Sequence, residues 1–165
     1  MISLVMDTSN SYLAVGLFQD NMCLEAFQEK GSRRQSEKAI PTLKEVLDRH
    51  HIALKDVNEM IITSGPGSYT GVRVAMTIAK TLAAVSDVRI KSVSSLAAYA
   101  GMNQALSVID ARGHKVFVGV YENGLPLMKE QVMTLEDFAQ LRAEYEDFEL
   151  VGEVGCLGLN EKECD

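Results

Sequence analysis

A chain of 165 residues with 47% hydrophobic and 24% charged side chains can bury a core as one domain or two small lobes, which excludes a disordered or low-complexity protein. Its net charge of −7 excludes a protein that grips nucleic acid unaided, because that task needs a Lys/Arg-rich face against the phosphates. Three cysteines, Cys23, Cys156 and Cys164, are odd in number and far apart, which excludes a disulfide framework and a zinc-type cluster.

Ile2–Met6 is short and almost wholly apolar, the pattern of a buried strand. It stops at Asp7-Thr8-Ser9-Asn10-Ser11, short polar side chains that favour a turn by bonding nearby backbone. Tyr12–Phe18 and Met22–Gln28 follow as strands joined by a turn at "QDN", so the chain opens with an antiparallel meander. Lys30, Arg33 and Arg34 make the one dense basic spot and read as a solvated loop. Ser36 to His51 carries Ala39, Leu43, Val46, Leu47 and His50 at helical spacing, with Pro41 either kinking the helix or sitting in its first turn.

Met60–Thr63 is a buried strand that runs into "SGPGSYTG" and then a helix over Gly71–Val85. That helix is apolar nearly all round, so burial on most faces is expected. Gly71, Ala75, Ala79 and Ala83 recur every four residues as a ridge without bulk, suited to close approach by another helix of the same domain or of another subunit. With Leu43 and Leu47 they form a candidate interface, and on that reading Ala79→Leu weakens dimerisation while the monomer stays folded.

Arg89–Val93 is a strand, and Ser94 or Ser95 caps a short helix that Gly101 ends. Ala105–Ile109, Lys115–Tyr121 and Leu125–Val132 read as three further strands. Thr134 caps a helix to about Ala143, and Phe148–Val151 is a last strand. The opening "MISLVMDTSN" lacks the basic and apolar stretches of a signal peptide, and no run nears the ~18 apolar residues of a membrane span. A cytoplasmic protein with no membrane contact is expected.

The opening meander recurs. Shifted by 103 positions, "SLVMDTSNSYLAVGLFQDN" lies over "LSVIDARGHKVFVGVYENG", so that Asp7 meets Asp110, Gly16 meets Gly119, Phe18 meets Tyr121, and the two turns coincide. A match at fixed offset is the trace of a duplicated unit. The duplication predicts an α/β chain of two lobes, residues 1–101 and a shortened 102–165, each beginning with strand, Asp and turn. Such turns can bind phosphate oxygens through backbone N–H groups, with the Asp holding water or Mg²⁺, which makes Asp7, Thr8, Ser9 and Asp110 candidate phosphate residues. This arrangement resembles the actin-like (ribonuclease H-like) fold.

"GPGSYTG" has no Gly-Lys-Ser/Thr and fails the Walker pattern. Two readings stay open. The helix start can bind an anion with help from Arg73, or Gly65 and Gly67 supply unusual backbone angles while Pro66 stiffens a structural turn.

"MDTS", "GPGSYTGVR", "VSSLAA" and "IDAR", in this order over Met1 to Tyr121, resemble the bacterial TsaB (YeaZ) family. The resemblance implies two actin-like lobes and a non-catalytic subunit. That subunit pairs with the paralogous TsaD-type transferase, works with a TsaE-type ATPase and supports threonylcarbamoyl modification of tRNA adenosine 37. It implies contact with tRNA only through the complex, a possible homodimer, and ATP with Mg²⁺ only at an incomplete or partner-completed site. The transferase paralogue holds its metal with an H-x-x-x-H pair, where this chain has Gln35 and Ala39, and no nucleophile with a base can be assembled for the glycoprotease label the family has carried. The competing reading is an active actin-like phosphohydrolase or kinase-like enzyme using Asp7, Thr8 and Asp110.

Overall fold

The computed structural model describes residues 1–31 and 35–158. Arg33, Arg34 and Cys164 lie outside the described residues. The chain forms two compact units, Met1–Val93 and Ser94–Asp165.

The first unit runs β1 (Ile2–Asp7), β2 (Tyr12–Gln19), β3 (Met22–Lys30), α1 (Gln35–Arg49), β4 (Glu59–Thr63), α2 (Tyr69–Val85) and β5 (Arg89–Val93). The sheet order is β3-β2-β1-β4-β5, with the β1–β2–β3 meander antiparallel and β4 and β5 parallel to β1. Asp20 and Asn21 both take positive φ, 49° and 68°, the geometry that lets a two-residue turn follow the twist of its strands. Side chains alternate across each strand, so Leu4 and Met6 of β1 and Met60 and Ile62 of β4 share one face. They pack in one core with Leu43, Val46 and Leu47 of α1 and Ala75, Ile78 and Ala79 of α2. Pro41 lies inside α1, on its exposed side.

Glu59 is a buried acid in this sheet, 4% exposed. The Ser3 hydroxyl donates to its Oε1 at 2.9 Å, and Lys91 Nζ lies 2.6 Å from Oε2. The Lys91 ammonium, seconded by Ser3, holds the carboxyl below the ordinary glutamate value of 4.5. A depressed carboxyl stabilises the fold above its unfolded pKa and loses that contribution as pH falls through the folded value. Glu59→Gln should therefore cost stability at pH 7 and flatten the decline below pH 4.5, as read by urea midpoints across the acid range. An unchanged acid limb would assign the decline to other groups.

The second unit runs α3 (Ser95–Ala100), β6 (Ala105–Arg112), β7 (Lys115–Glu122), β8 (Leu125–Pro126), β9 (Gln131–Thr134), α4 (Leu135–Glu144) and β10 (Glu149–Gly152). The sheet order is β10-β6-β7-β8, with β9 also on β7. α3 packs on this sheet through Leu96 and Ala100, against Ala105, Ile109 and Tyr121, so it belongs to the second unit rather than to the first lobe of the sequence reading. α4 covers the other face through Phe138, against Leu106, Val108, Val116, Val118 and Val120.

The expected single strand over Leu125–Val132 is two. Continuing the register of β8 would set Val118 opposite Lys129, but Val118 pairs with Gln131. Pro126 has no N–H for the ladder, and Glu130 between the two strands accepts hydrogen bonds from the Tyr121 and Ser94 hydroxyls. Burial, reinforced by that carboxylate, pushes the Tyr121 phenol up, so it stays protonated.

The duplication is visible in atomic detail. Ser9 N–H donates to Asp7 Oδ1 at 2.7 Å, and Arg112 N–H donates to Asp110 Oδ1 at 2.8 Å, 103 residues on. A Cβ on Gly16 would meet the Phe18 ring at 2.9 Å, and one on Gly119 would meet the Tyr121 ring at 2.5 Å. Asn123 and Gly124 repeat the positive φ of Asp20 and Asn21. One difference is a bulge between Asp110 and Arg112, which shifts the β6–β7 pairing.

Ser107 of β6 is wholly buried opposite Gly119, and its hydroxyl has no hydrogen-bond partner among the described residues. An unpaired buried hydroxyl keeps its desolvation penalty, so Ser107→Ala should raise stability by about 1 kcal/mol in urea unfolding. A loss of that size would mean the hydroxyl is paired in solution. No helix among the described residues is long and apolar enough to cross a membrane.

Candidate functional site

The loop between β4 and α2 rests on the turn after β1. Ser68 N–H donates to the Ser9 carbonyl at 2.7 Å, and the Thr8 hydroxyl donates to the Gly71 carbonyl at 2.6 Å. A Cβ on Gly71 would stand 1.9 Å from the Thr8 carbonyl oxygen, and one on Gly67 would stand 2.3 Å from that of Ser9. Only glycine permits such backbone approach. Gly65 takes φ of +95°, and the Gly65–Pro66 peptide is cis. Ser68 caps α2 by accepting from Gly71 N–H at 3.2 Å.

These contacts bear on the two readings of the loop. Thr8 is wholly buried and Ser9 is 1% exposed. The Thr8 hydroxyl is bound to Gly71, and the Ser9 N–H to Asp7 Oδ1. Thr63 Oγ1 donates to the same carboxylate oxygen at 2.6 Å. Two donors of the candidate phosphate turn, the Thr8 hydroxyl and the Ser9 N–H, are thus engaged inside the protein. The geometry supports a brace: glycines for close approach, hydroxyls for anchoring. In the second unit, Asp110 N–H donates to Glu153 Oε2 at 2.9 Å, and Arg112 Nη1 lies 3.7 Å from Asp110 Oδ2.

The ridge on α2 faces inward, which corrects its place as a surface for another subunit. Gly71, Ala75 and Ala79 are buried in the core of the first unit, Ala83 is half-buried, and Leu43 and Leu47 are 5% and 7% exposed. The small residues let α2 settle close to the sheet and to the Thr8 carbonyl. Ala79→Leu therefore overpacks the core and should lower stability by about 2 kcal/mol in urea unfolding. An unaltered midpoint would show that the core has room there.

The other side of α2 is open, although the sequence predicted burial nearly all round. Tyr69 is 75% exposed and Ile40 of α1 60%. Tyr69, Arg73 and Thr77 sit two residues out of step with Gly71, Ala75 and Ala79, which is 200° around a helix and so the opposite side. With Ser36, Ile40 and Val74 they line a groove of about 370 Å³ between α1 and α2, and Ile78 is at its floor. Arg73 turns to Tyr69: Nη1 donates to the phenol oxygen at 3.1 Å, and the guanidinium lies 5.2 Å from the ring centre. Sequence reasoning missed Ile40 and Tyr69. The available signal was that each is a large apolar or aromatic residue outside the core stripe of its helix.

The remaining candidates have local partners. Gln35 Nε2 donates to the Asn10 carbonyl at 2.9 Å, and Ala39 is in the core. His50 Nε2 lies 2.8 Å from Glu25 Oε2, just past the end of α1. Cys156 Sγ donates to the Glu153 carbonyl at 3.0 Å, and Cys23 is exposed.

Residues 28–149 match the family described as "TsaD: tRNA N6-adenosine threonylcarbamoyltransferase". The chain is 32% identical over 153 residues to the Bacillus subtilis tRNA threonylcarbamoyladenosine biosynthesis protein TsaB, covering 87% of this chain and 67% of that one. It is 31% identical over 132 residues to the TsaB of Escherichia coli, covering 74% of this chain and 57% of that one. The chain thus spans roughly three-fifths to two-thirds of the length of these relatives. Among solved structures, YeaZ from Pseudomonas aeruginosa superposes with a TM-score of 0.74 at 28% identity, over 80% of this chain and 67% of that one. A meander, a parallel pair and a duplicated unit that follow a YeaZ structure, in a chain this similar to TsaB proteins, place it: the chain belongs to the TsaB (YeaZ) family, with the actin-like α/β fold.

Proposed function

We propose that this chain is a non-catalytic partner subunit in threonylcarbamoyladenosine synthesis. It pairs with a TsaD-type transferase and, with a TsaE-type ATPase, supports modification of adenosine 37 in tRNAs that read codons beginning with adenine. The relatives' shared name supports the pathway. The observation that carries the pairing is the open α1–α2 groove, where Ile40 and Tyr69 stand out from a helix pair whose opposite side is closed in core. A groove between two helices accepts a helix of a partner by ridge packing, and exposed aromatics with arginine are typical anchors. The net charge of −7 leaves tRNA contact to the assembled complex. The internal hydrogen bonds of Thr8 and Ser9 agree with this role, with nucleotide held only at an incomplete or partner-completed site.

Mixing the chain with the TsaD-type protein of the same organism and sizing it by light scattering tests the proposal. A one-to-one complex is expected. Two separate species at tens of micromolar would refute the pairing. Calorimetry of the chain alone with ATP and Mg²⁺ should give no heat of binding, and micromolar affinity lost in Asp7→Ala would instead favour the phosphohydrolase or kinase-like reading.

A further inference from the structure

We propose that the Asp7-Thr8-Ser9 turn is the positioning element of the α1–α2 groove, so that the hydroxyl of Thr8 governs partner binding without touching the partner. The inference rests on reading that groove as the partner contact. Tyr69 opens α2 and Arg73 follows one turn on, at the end of the helix that frays first. Here that part is held from below. Thr8 Oγ1 reaches the Gly71 carbonyl, Ser9 O accepts from Ser68 N–H, and the Gly71 backbone lies against the Thr8 carbonyl with no room for a Cβ. The turn is itself fixed to β4, because Thr63 Oγ1 and Ser9 N–H both donate to Asp7 Oδ1. Thr8 is wholly buried and does not line the groove, so its substitution reaches Tyr69 and Arg73 only through α2. The same side chains that a phosphate turn would offer to a ligand thus tie strand, loop and helix into one block, and the aim of the groove residues follows from that block.

Thr8→Val removes the hydroxyl at nearly constant volume, and Thr8→Ser keeps it. Amide hydrogen exchange is read at Val72 and Arg73, with β2 and β3 as the reference for global opening, and affinity for the TsaD-type protein is measured alongside. In Thr8→Val, exchange at Val72 and Arg73 should quicken about tenfold and affinity fall by a similar factor, the size of one lost hydrogen bond. β2 and β3 should keep their wild-type rates, and Thr8→Ser should restore both quantities to within about twofold. Unchanged exchange at Val72 and Arg73, or quickening shared equally by β2 and β3, would overturn the inference, as would wild-type affinity in Thr8→Val. Should the wild-type chain not bind the TsaD-type protein at all, the partner reading falls, while the exchange rates still decide whether the turn holds the start of α2.

Discussion

Gly71→Ala is expected to lower the stability of the first unit by about 3 kcal/mol, the upper part of the range for overpacking. Its added Cβ would stand 1.9 Å from a backbone oxygen, that of Thr8, which cannot swing aside as the end of a long side chain can. Relief requires moving the start of α2 or the turn after β1, and both are in the Thr8–Gly71 and Ser68–Ser9 hydrogen bonds. Gly113→Ala is the control. Gly113 has φ of +59° and nothing within 4 Å, so that change adds left-handed strain alone and should cost about 1 kcal/mol. Urea unfolding of both variants separates contact from backbone strain. A cost for Gly71→Ala no larger than for Gly113→Ala would mean that the loop gives way easily and braces nothing.

The second large effect concerns association. Tyr69→Ala should weaken binding of the TsaD-type protein about 30-fold, as a central aromatic anchor does, and Ile40→Glu should abolish detectable binding by setting a charge in the groove. Both side chains are mostly exposed in the free chain, 75% and 60%, so thermal unfolding should move by no more than about 2 °C. Titration calorimetry beside a melting curve distinguishes the two quantities. Wild-type affinity in both variants would place the partner elsewhere. Ala79→Leu would behave in the opposite way, losing stability first, because Ala79 is a core residue.

Most of the secondary structure was legible because local chemistry decides it. The apolar run Ile2–Met6, the "QDN" and "ENG" turns and the caps at Ser94 and Thr134 each act within a few residues, and the elements form where those signals stand. The split of the strand over Leu125–Val132 was not legible. It depends on Glu130 reaching Tyr121 and Ser94, which are 9 and 36 residues away. The candidate site divided in the same way. The glycines of "GPGSYTG" announced an unusual loop, but whether they face a ligand or the protein's own backbone depends on the distant Thr8 and Ser9 carbonyls.

By itself the sequence determined the order of the elements apart from the split strand, the duplication and the family. Each of these is a pattern along the chain: periodicity, a fixed offset of 103 and a set of motifs in order. Only the tertiary structure decided which side of α2 is inside. A row of small residues and a row carrying Tyr69 and Arg73 are both compatible with close packing on a helical wheel, and periodicity does not say which row meets the sheet. The choice follows from space: the Thr8 carbonyl comes too near the start of α2 for any side chain, so the glycine and alanine row turns inward and the bulky row is left to form the groove.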